Sequence, residues 1–116
     1  MSKVDQVNEL LRHELAAAIL KEVDLPEALI TVTYVISSAD EHYAKVGISV
    51  LPFNLAGTAL KELRKKTSTI LREAKKRVKI RRFPQITWAI DSTEEKAAEV
   101  EAVIDQDEAE IRRILG

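Results

Sequence analysis

Cysteine is absent from this chain of 116 residues, which excludes disulfides, thiolate metal ligands and a cysteine nucleophile. Glycine and proline occur three times each, and the glycines form no phosphate-cradling loop. The two histidines, His13 and His42, share no local motif, and no carboxylate stands at a ligand spacing from either. The longest apolar run, Leu15 to Leu20, is too short to span a bilayer. We therefore expect a soluble, cytoplasmic protein without a metal site.

The composition is that of one globular domain. Apolar residues make up 46% of the chain and charged residues 32%, and a chain of this length buries roughly 65% of its unfolded surface. No internal repeat or low-complexity tract divides it.

The first half of the chain has two kinds of periodicity. Apolar residues at helical spacing predict a helix over about residues 3–22, which ends before Pro26. β-branched residues then alternate over 29–37 and 43–51, and the short link Ser38–His42 makes these strands an antiparallel hairpin. The alternation in the first strand puts one set of residues on a single face: Ile30, Val32, Tyr34 and Ile36.

The second half predicts two helices, a strand and a last helix. Asn54 is a candidate N-cap, and apolar residues recur every three or four positions from Leu60 to Val78. Three modest helix formers, Thr67-Ser68-Thr69, predict a kink or break between two helices. A strand follows at about 86–90, and a helix at about 93–115 starts with a capping box formed by Ser92 and Glu95.

The order α-β-β-α-α-β, with an additional C-terminal helix, predicts an α+β fold with helices on one face of a small sheet. The helical crossover predicts that the third strand pairs in parallel with a hairpin strand. We divide the chain into a domain over 1–92 and an acidic C-terminal helix over 93–116, which is part of that domain or appended to it.

The charge is strongly divided along the chain. Residues 60–82 contain 11 basic and 2 acidic residues, a net charge of +9. The whole chain has 18 basic and 19 acidic residues, so the residues outside 60–82 include 7 basic and 17 acidic ones, a net charge of −10. At about 100° per residue, one helical side collects Lys61, Lys65, Ser68, Arg72, Lys76 and Lys79.

A surface of one charge sign repels itself unless a polyanion neutralises it. This favours nucleic-acid phosphate contact over a merely solubilising surface. Lipid head groups are a weaker candidate, because the adjoining apolar stripe is needed for the core.

An enzymatic function has little support in the sequence. Ser38, Asp40 and His42 are hydrolase-like residue types, but Ser and Asp are also typical turn residues, and we interpret this stretch as a solvated turn. Trp88 is predicted to be a core residue. Phe83 has two open roles, covering the edge of the core or stacking on a base.

Four stretches, in this order and spacing, resemble the bacterial ribosome-binding factor A family, whose members have a KH-like fold of the second type. They are Leu25-Pro26 leading into Thr31 to Val35; Ser38 with Asp40, Ala44 and Val46; Ile70 to Arg81 with Pro84; and Trp88 to Ser92. The sequence departs from the family at Lys66-Thr67-Ser68, where an Ala-x-Gly kink is usual, and at Lys3–Val7, where an Arg-x-x-Arg-Val pattern is frequent. It also lacks the Gly-x-x-Gly loop of KH domains in general.

The resemblance implies a non-catalytic assembly factor that binds the small (30S) ribosomal subunit, contacts its 16S ribosomal RNA and assists processing of the 5′ end. It implies no cofactor and no membrane partner, a monomer, and assembly GTPases as candidate partners. The residues predicted to bind RNA are Lys61, Lys65, Ser68, Thr69, Arg72, Lys75, Lys76, Lys79, Arg81 and Arg82. An alternative is a protein-interaction module that pairs through Val100, Ile104 and Ile111 of the acidic C-terminal helix.

Overall fold

The computed structural model describes residues 2–80 and 82–93. In chain order the elements are α1 (Lys3–Glu22), β1 (Leu29–Ser37), β2 (Tyr43–Leu51), a short 3₁₀ helix (Phe53–Leu55), α2 (Ala56–Lys75) and β3 (Gln85–Ile90). The predicted C-terminal helix, and with it the second unit of the predicted division, lies outside the described residues. None of the described helices is long and apolar enough to cross a membrane.

Helix α1 has the predicted bounds and a well-defined start. The Ser2 hydroxyl accepts a hydrogen bond of 3.1 Å from the Asp5 N–H, which satisfies one of the free donors of the first turn. Asp5 in the first turn and Lys21 in the last complement the helix dipole. The inner face consists of Leu11, Leu15, Ala18 and Ile19.

The sheet has three strands in the order β1-β2-β3. β1 and β2 form the predicted antiparallel hairpin, and β3 pairs with β2 in parallel. A strand parallel to its neighbour needs a long crossover, and α2 provides it. The prediction of a parallel third strand is confirmed.

A β-bulge changes which side chains of β1 face the core. Val32 pairs with Ile48 but Tyr34 pairs with Gly47, so Thr33 is an additional residue in β1. Val32 and Val35 are therefore buried, while Ile36 is exposed. The prediction that Tyr34 and Ile36 share a face with Val32 was wrong, because an inserted residue reverses the alternation of everything after it.

Helix α2 is a single continuous helix over Ala56–Lys75, and the predicted break at Thr67-Ser68-Thr69 is absent. The Thr67 hydroxyl donates to the Leu63 carbonyl oxygen at 2.7 Å and accepts from Trp88 Nε1 at 2.9 Å. Thr67 thus fixes the helix to β3 at the point where propensity is low. The N-cap prediction at Asn54 was also wrong, since Asn54 lies in the 3₁₀ helix and Leu55 precedes α2 without a side-chain cap.

The core lies between the two helices and one face of the sheet. Its largest fully buried side chains are Leu11, Leu15, Val46, Ile48, Val50, Leu63 and Ile70. Trp88 is 4% exposed, so the prediction of a core tryptophan is confirmed. The fold is an α+β, KH-like domain of the predicted class, with one helix where two were expected.

Candidate nucleic-acid interface

Exposed cations occupy the side of α2 that faces away from the core. The buried side consists of Ala56, Ala59, Leu63, Ile70 and Ala74, together with Glu73. At about 100° per residue, the exposed cations fall within an arc of about 100°, opposite the buried side. We call this arc the cationic face, and its members are Lys61, Arg64, Lys65, Ser68, Arg72 and Lys75.

The cationic face contains no acidic residue. Glu62 is half-buried and Glu73 is buried, and both lie outside the arc. Ser68 is exposed near the middle of the arc, with Arg64 and Lys65 one turn before it and Arg72 one turn after it. Its hydroxyl is a hydrogen-bond donor surrounded by cations, which is a suitable arrangement for a phosphate oxygen.

The sequence predicted that the cations flank the apolar stripe of α2. The structure places them on the side opposite the buried residues. The reason is tertiary, because α1 packs on the Glu73 side of α2 and moves the buried side towards it. Lys66 is half-buried as a result, and Arg64, which was not among the residues predicted to bind RNA, joins the exposed set. Thr69, also predicted to contact RNA, is half-buried at the border of the face.

Glu73 is a buried carboxylate that holds three cations. Only 6% of the residue is exposed. Lys21 Nζ donates to it at 2.8 Å, Lys76 Nζ at 3.3 Å, and Arg77 Nη2 lies 3.9 Å away. The hydrogen bond from Lys21, and then the one from Lys76, lowers the pKa of Glu73 against the opposing effect of burial. Lys76 was predicted to contact RNA, and its ammonium is already engaged with this carboxylate.

Beyond Lys75 the chain leaves the helix and runs irregularly to β3. Val78 and Pro84 are buried and hold this connection to the core, while Lys79 and Arg82 remain exposed. The helical periodicity that grouped Lys76 and Lys79 with the α2 cations therefore does not apply to them. Arg81 lies outside the described residues.

Two contacts fix the ends of this connection. Lys75 Nζ lies 5.6 Å from the centroid of the Phe83 ring, a cation–π geometry. Phe83 is half-buried against the core, so the structure gives it the role of covering the core edge. Arg82 Nη1 lies 2.6 Å from His42 Nε2, which joins the connection to the hairpin turn.

A groove of about 860 Å³ lies between this connection, the start of α1 and the hairpin turn. Its floor is apolar, with Val7, Leu11 and Ile80, and its rim carries both signs of charge. The charged lining residues are Lys3, Asp40, Glu41, Lys79 and Arg82. Because both acids and bases line it, the groove lacks the single charge sign of the cationic face.

The hydrolase-like residues form a turn. The Ser38 hydroxyl donates to Asp40 Oδ1 at 2.6 Å, and Asp40 accepts the His42 N–H at 3.0 Å. These two bonds, the Ser38 bond foremost, lower the pKa of Asp40. The serine proton is directed at the carboxylate rather than at the imidazole, so the geometry is that of a turn and not of an activated nucleophile. In the described part of the chain, no group of three or more His, Asp or Glu side chains has the geometry of a metal site.

The fold and this surface together define a small KH-like α+β domain with a cationic helix face. The family model for ribosome-binding factor A matches residues 3–104, and the chain belongs to that family. A ribosome-binding factor A from Chlamydia felis is 36% identical over 93 residues, covering 77% of this chain and 78% of that protein. A ribosome-binding factor A from Thioalkalivibrio sulfidiphilus is 32% identical over 114 residues, covering 96% of this chain and 88% of that protein.

The fold also agrees with a solved structure. The crystal structure of ribosome-binding factor A from Thermus thermophilus superposes with a TM-score of 0.65 at 23% identity, over 77% of this chain and 97% of that one. The predicted family is therefore confirmed by sequence, and the predicted fold by structure.

Proposed function

We propose that the protein is a non-catalytic assembly factor that binds the small (30S) ribosomal subunit and its 16S ribosomal RNA during maturation and 5′-end processing. Membership of a family named for ribosome binding supports the partner. The observation that carries the mode of binding is the cationic face, with five exposed cations around Ser68 and no acid among them.

The mechanism is electrostatic positioning. Cations along one face of a continuous helix follow a phosphate backbone, and each contact releases counterions. Phosphate contacts fix position without reading bases, so the shape of the folded RNA decides the site. Lys79 and Arg82 extend the contact from α2 towards the hairpin turn.

The proposal assigns the predicted residues unequal roles. Lys61, Lys65, Ser68 and Arg72 contact RNA directly, whereas Lys76 contributes less because Glu73 holds it. The setting proposed is a cytoplasmic monomer that acts without a cofactor or membrane, with assembly GTPases as candidate partners.

The test is charge removal on the cationic face. In the triple variant Lys61→Gln, Lys65→Gln, Arg72→Gln, we expect co-sedimentation with small subunits to fall sharply and the salt dependence of binding to weaken by about 1 in log–log slope per lost contact. All three side chains are exposed, so the fold is expected to persist.

A matched pair of single variants controls for net charge. Lys65→Gln removes one charge from the cationic face, and Lys45→Gln removes one exposed charge from β2. Only the first is expected to weaken binding. Unchanged binding by the folded triple variant rejects the proposal, and equal losses in the two single variants reject the assignment to this face.

A further inference from the structure

One face of the sheet is uncovered by the described part of the chain. Helices α1 and α2 both pack on the face formed by residues such as Val46, Ile48 and Trp88. On the opposite face, four large apolar side chains are exposed: Leu29 at 61%, Ile36 at 59%, Tyr43 at 56% and Leu51 at 48%. We call these four residues, with Tyr34, the open sheet face.

The open sheet face consists of two apolar clusters on one side of the sheet. Leu29 and Leu51 lie at one end, and Tyr34, Ile36 and Tyr43 lie towards the other, with the Thr31–Ser49 pair between them and Lys45 opposite Ile36. Leu29 and Leu51 are direct cross-strand partners. The bulge at Thr33 turns Ile36 and Tyr34 onto this face, and the Tyr34 ring covers Gly47 so closely that a Cβ there would lie 2.0 Å from Tyr34 Cε2. Large apolar side chains exposed together on one face of a sheet mark an interaction site.

Residues 94–116 have the properties of its occupant. Val100, Val103, Ile104, Ile111, Ile114 and Leu115 recur at helical spacing. An amphipathic helix needs a complementary apolar surface, because most of its stability comes from burying that stripe.

The position and length of this segment fit the sheet. It follows directly after β3, where the Asp91 N–H bonds to the Ile48 carbonyl oxygen at 2.7 Å. Asp91 Oδ1 accepts from the Thr93 N–H at 3.1 Å and from its hydroxyl at 2.5 Å, as an N-cap does at the start of a helix. A helix over 93–115 is roughly 34 Å long, and a nine-residue strand such as β1 spans roughly 30 Å.

Charge alone suggests a different site for this segment. Residues 94–116 contain eight acidic and three basic residues, a net charge of −5, and the cationic face attracts them. That face, however, consists of solvated cations and Ser68 and gives the apolar stripe nothing to pack against. Apolar complementarity therefore favours the open sheet face, where the acidic residues on the flanks of the helix stay in water. One acid, Asp107, falls within the apolar stripe, and the open sheet face carries one exposed cation, Lys45, as the cross-strand partner of Ile36.

We propose that residues 94–116 form an amphipathic helix that packs on the open sheet face and makes the domain a three-layer structure. The two binding surfaces are then on opposite sides of the molecule, and the cationic face stays accessible. The inference does not rest on RNA binding, and it is tested without RNA.

The absence of cysteine makes disulfide trapping a clean test. Val100→Cys is combined in turn with Leu29→Cys, Ile36→Cys or Tyr43→Cys on the open sheet face. The matched control combines it with Leu20→Cys, which is 85% exposed on the outer side of α1. A further variant uses Arg64→Cys on the cationic face. We expect intramolecular disulfides to form at least tenfold faster at one or more sheet positions than at either comparison position.

Hydrogen exchange of the full chain gives an independent measurement. We expect slow exchange of amides within 97–114, accelerated by Ile36→Asp or Tyr43→Asp but not by Leu20→Asp. Trapping as fast at Leu20 as on the sheet, or fastest at Arg64, overturns the proposal. Disulfides formed only between chains also overturn it, because a second copy would then be the occupant.

Discussion

At the residue scale, Glu73 is one of two acids in a cationic segment of the sequence. In the structure it is buried and binds cations instead of lying on the surface among them. A buried carboxylate without partners is costly, but paired and hydrogen-bonded it is compatible with the interior. Lys21 from α1 and Lys76 from the end of α2 provide these bonds. Glu73 therefore joins the two helices and engages the ammonium of Lys76, whose side chain is otherwise exposed.

The lowered pKa of Glu73 predicts how its contribution depends on pH. A carboxyl group whose pKa is depressed by folding stabilises the protein above its unfolded-state pKa, and loses that effect as the pH falls through the folded-state value. We expect Glu73→Gln to lower the free energy of unfolding at pH 7, and the difference from the parent chain to shrink below about pH 4.5 and disappear in stronger acid. Urea denaturation at several pH values measures this.

Glu62→Gln is the matched control on the same helix, because no salt bridge joins Glu62 to another described residue. A difference between Glu73→Gln and the parent chain that is the same at pH 7 and pH 3 contradicts the ion-pair account.

At the scale of elements, the continuity of α2 is the main departure from expectation. Local propensity at Thr67-Ser68-Thr69 is low, but tertiary contacts override it through the bonds of Thr67 to Leu63 and Trp88. A continuous helix keeps the cationic face on one side of a single element, whereas a break would have divided it near Ser68.

The continuity of α2 predicts the effect of replacing Ser68, which is exposed and is not held by the core. In a helix interior, alanine is more favourable than glycine by about 1 kcal/mol, with serine between them. We expect Ser68→Ala to raise the free energy of unfolding by about 0.5 kcal/mol and Ser68→Gly to lower it by about as much, measured by chemical denaturation. If glycine stabilises and alanine destabilises, the helix is bent at this position.

At the scale of the whole molecule, a near-neutral chain is divided into regions of opposite charge. The formal net charge of −1 predicts little affinity for a polyanion, but binding depends on the local field and not on the total. The structure concentrates cations on α2 and its C-terminal connection. The acidic residues 94–116 account for −5 of the total, so the rest of the chain carries +4.

This division predicts a strong salt dependence for subunit binding. Seven exposed cations of the described residues in 60–82 are not engaged by Glu73, and they set an upper limit of about 6 on the magnitude of the log–log slope. They are Lys61, Arg64, Lys65, Arg72, Lys75, Lys79 and Arg82. We expect a measured slope between about −2 and −6 in co-sedimentation between 50 and 200 mM salt. A slope near zero would show that phosphate contacts do not carry the binding.

The sequence by itself determined the first helix, the antiparallel hairpin, the parallel third strand, the buried Trp88 and the family. These follow from periodicity and from short-range chemistry that each segment carries alone. The tertiary structure decided which side of α2 faces solvent, the burial of Glu73, the unbroken helix at Thr67 and the outward turn of Ile36. Each of these depends on partners distant in the chain: α1 for Glu73, β3 for Thr67, and the register with β2 for Ile36. The local sequence pattern carries no information about such distant partners. The cationic character of residues 60–82 was therefore predictable, but the set of cations that α2 exposes on one face was not.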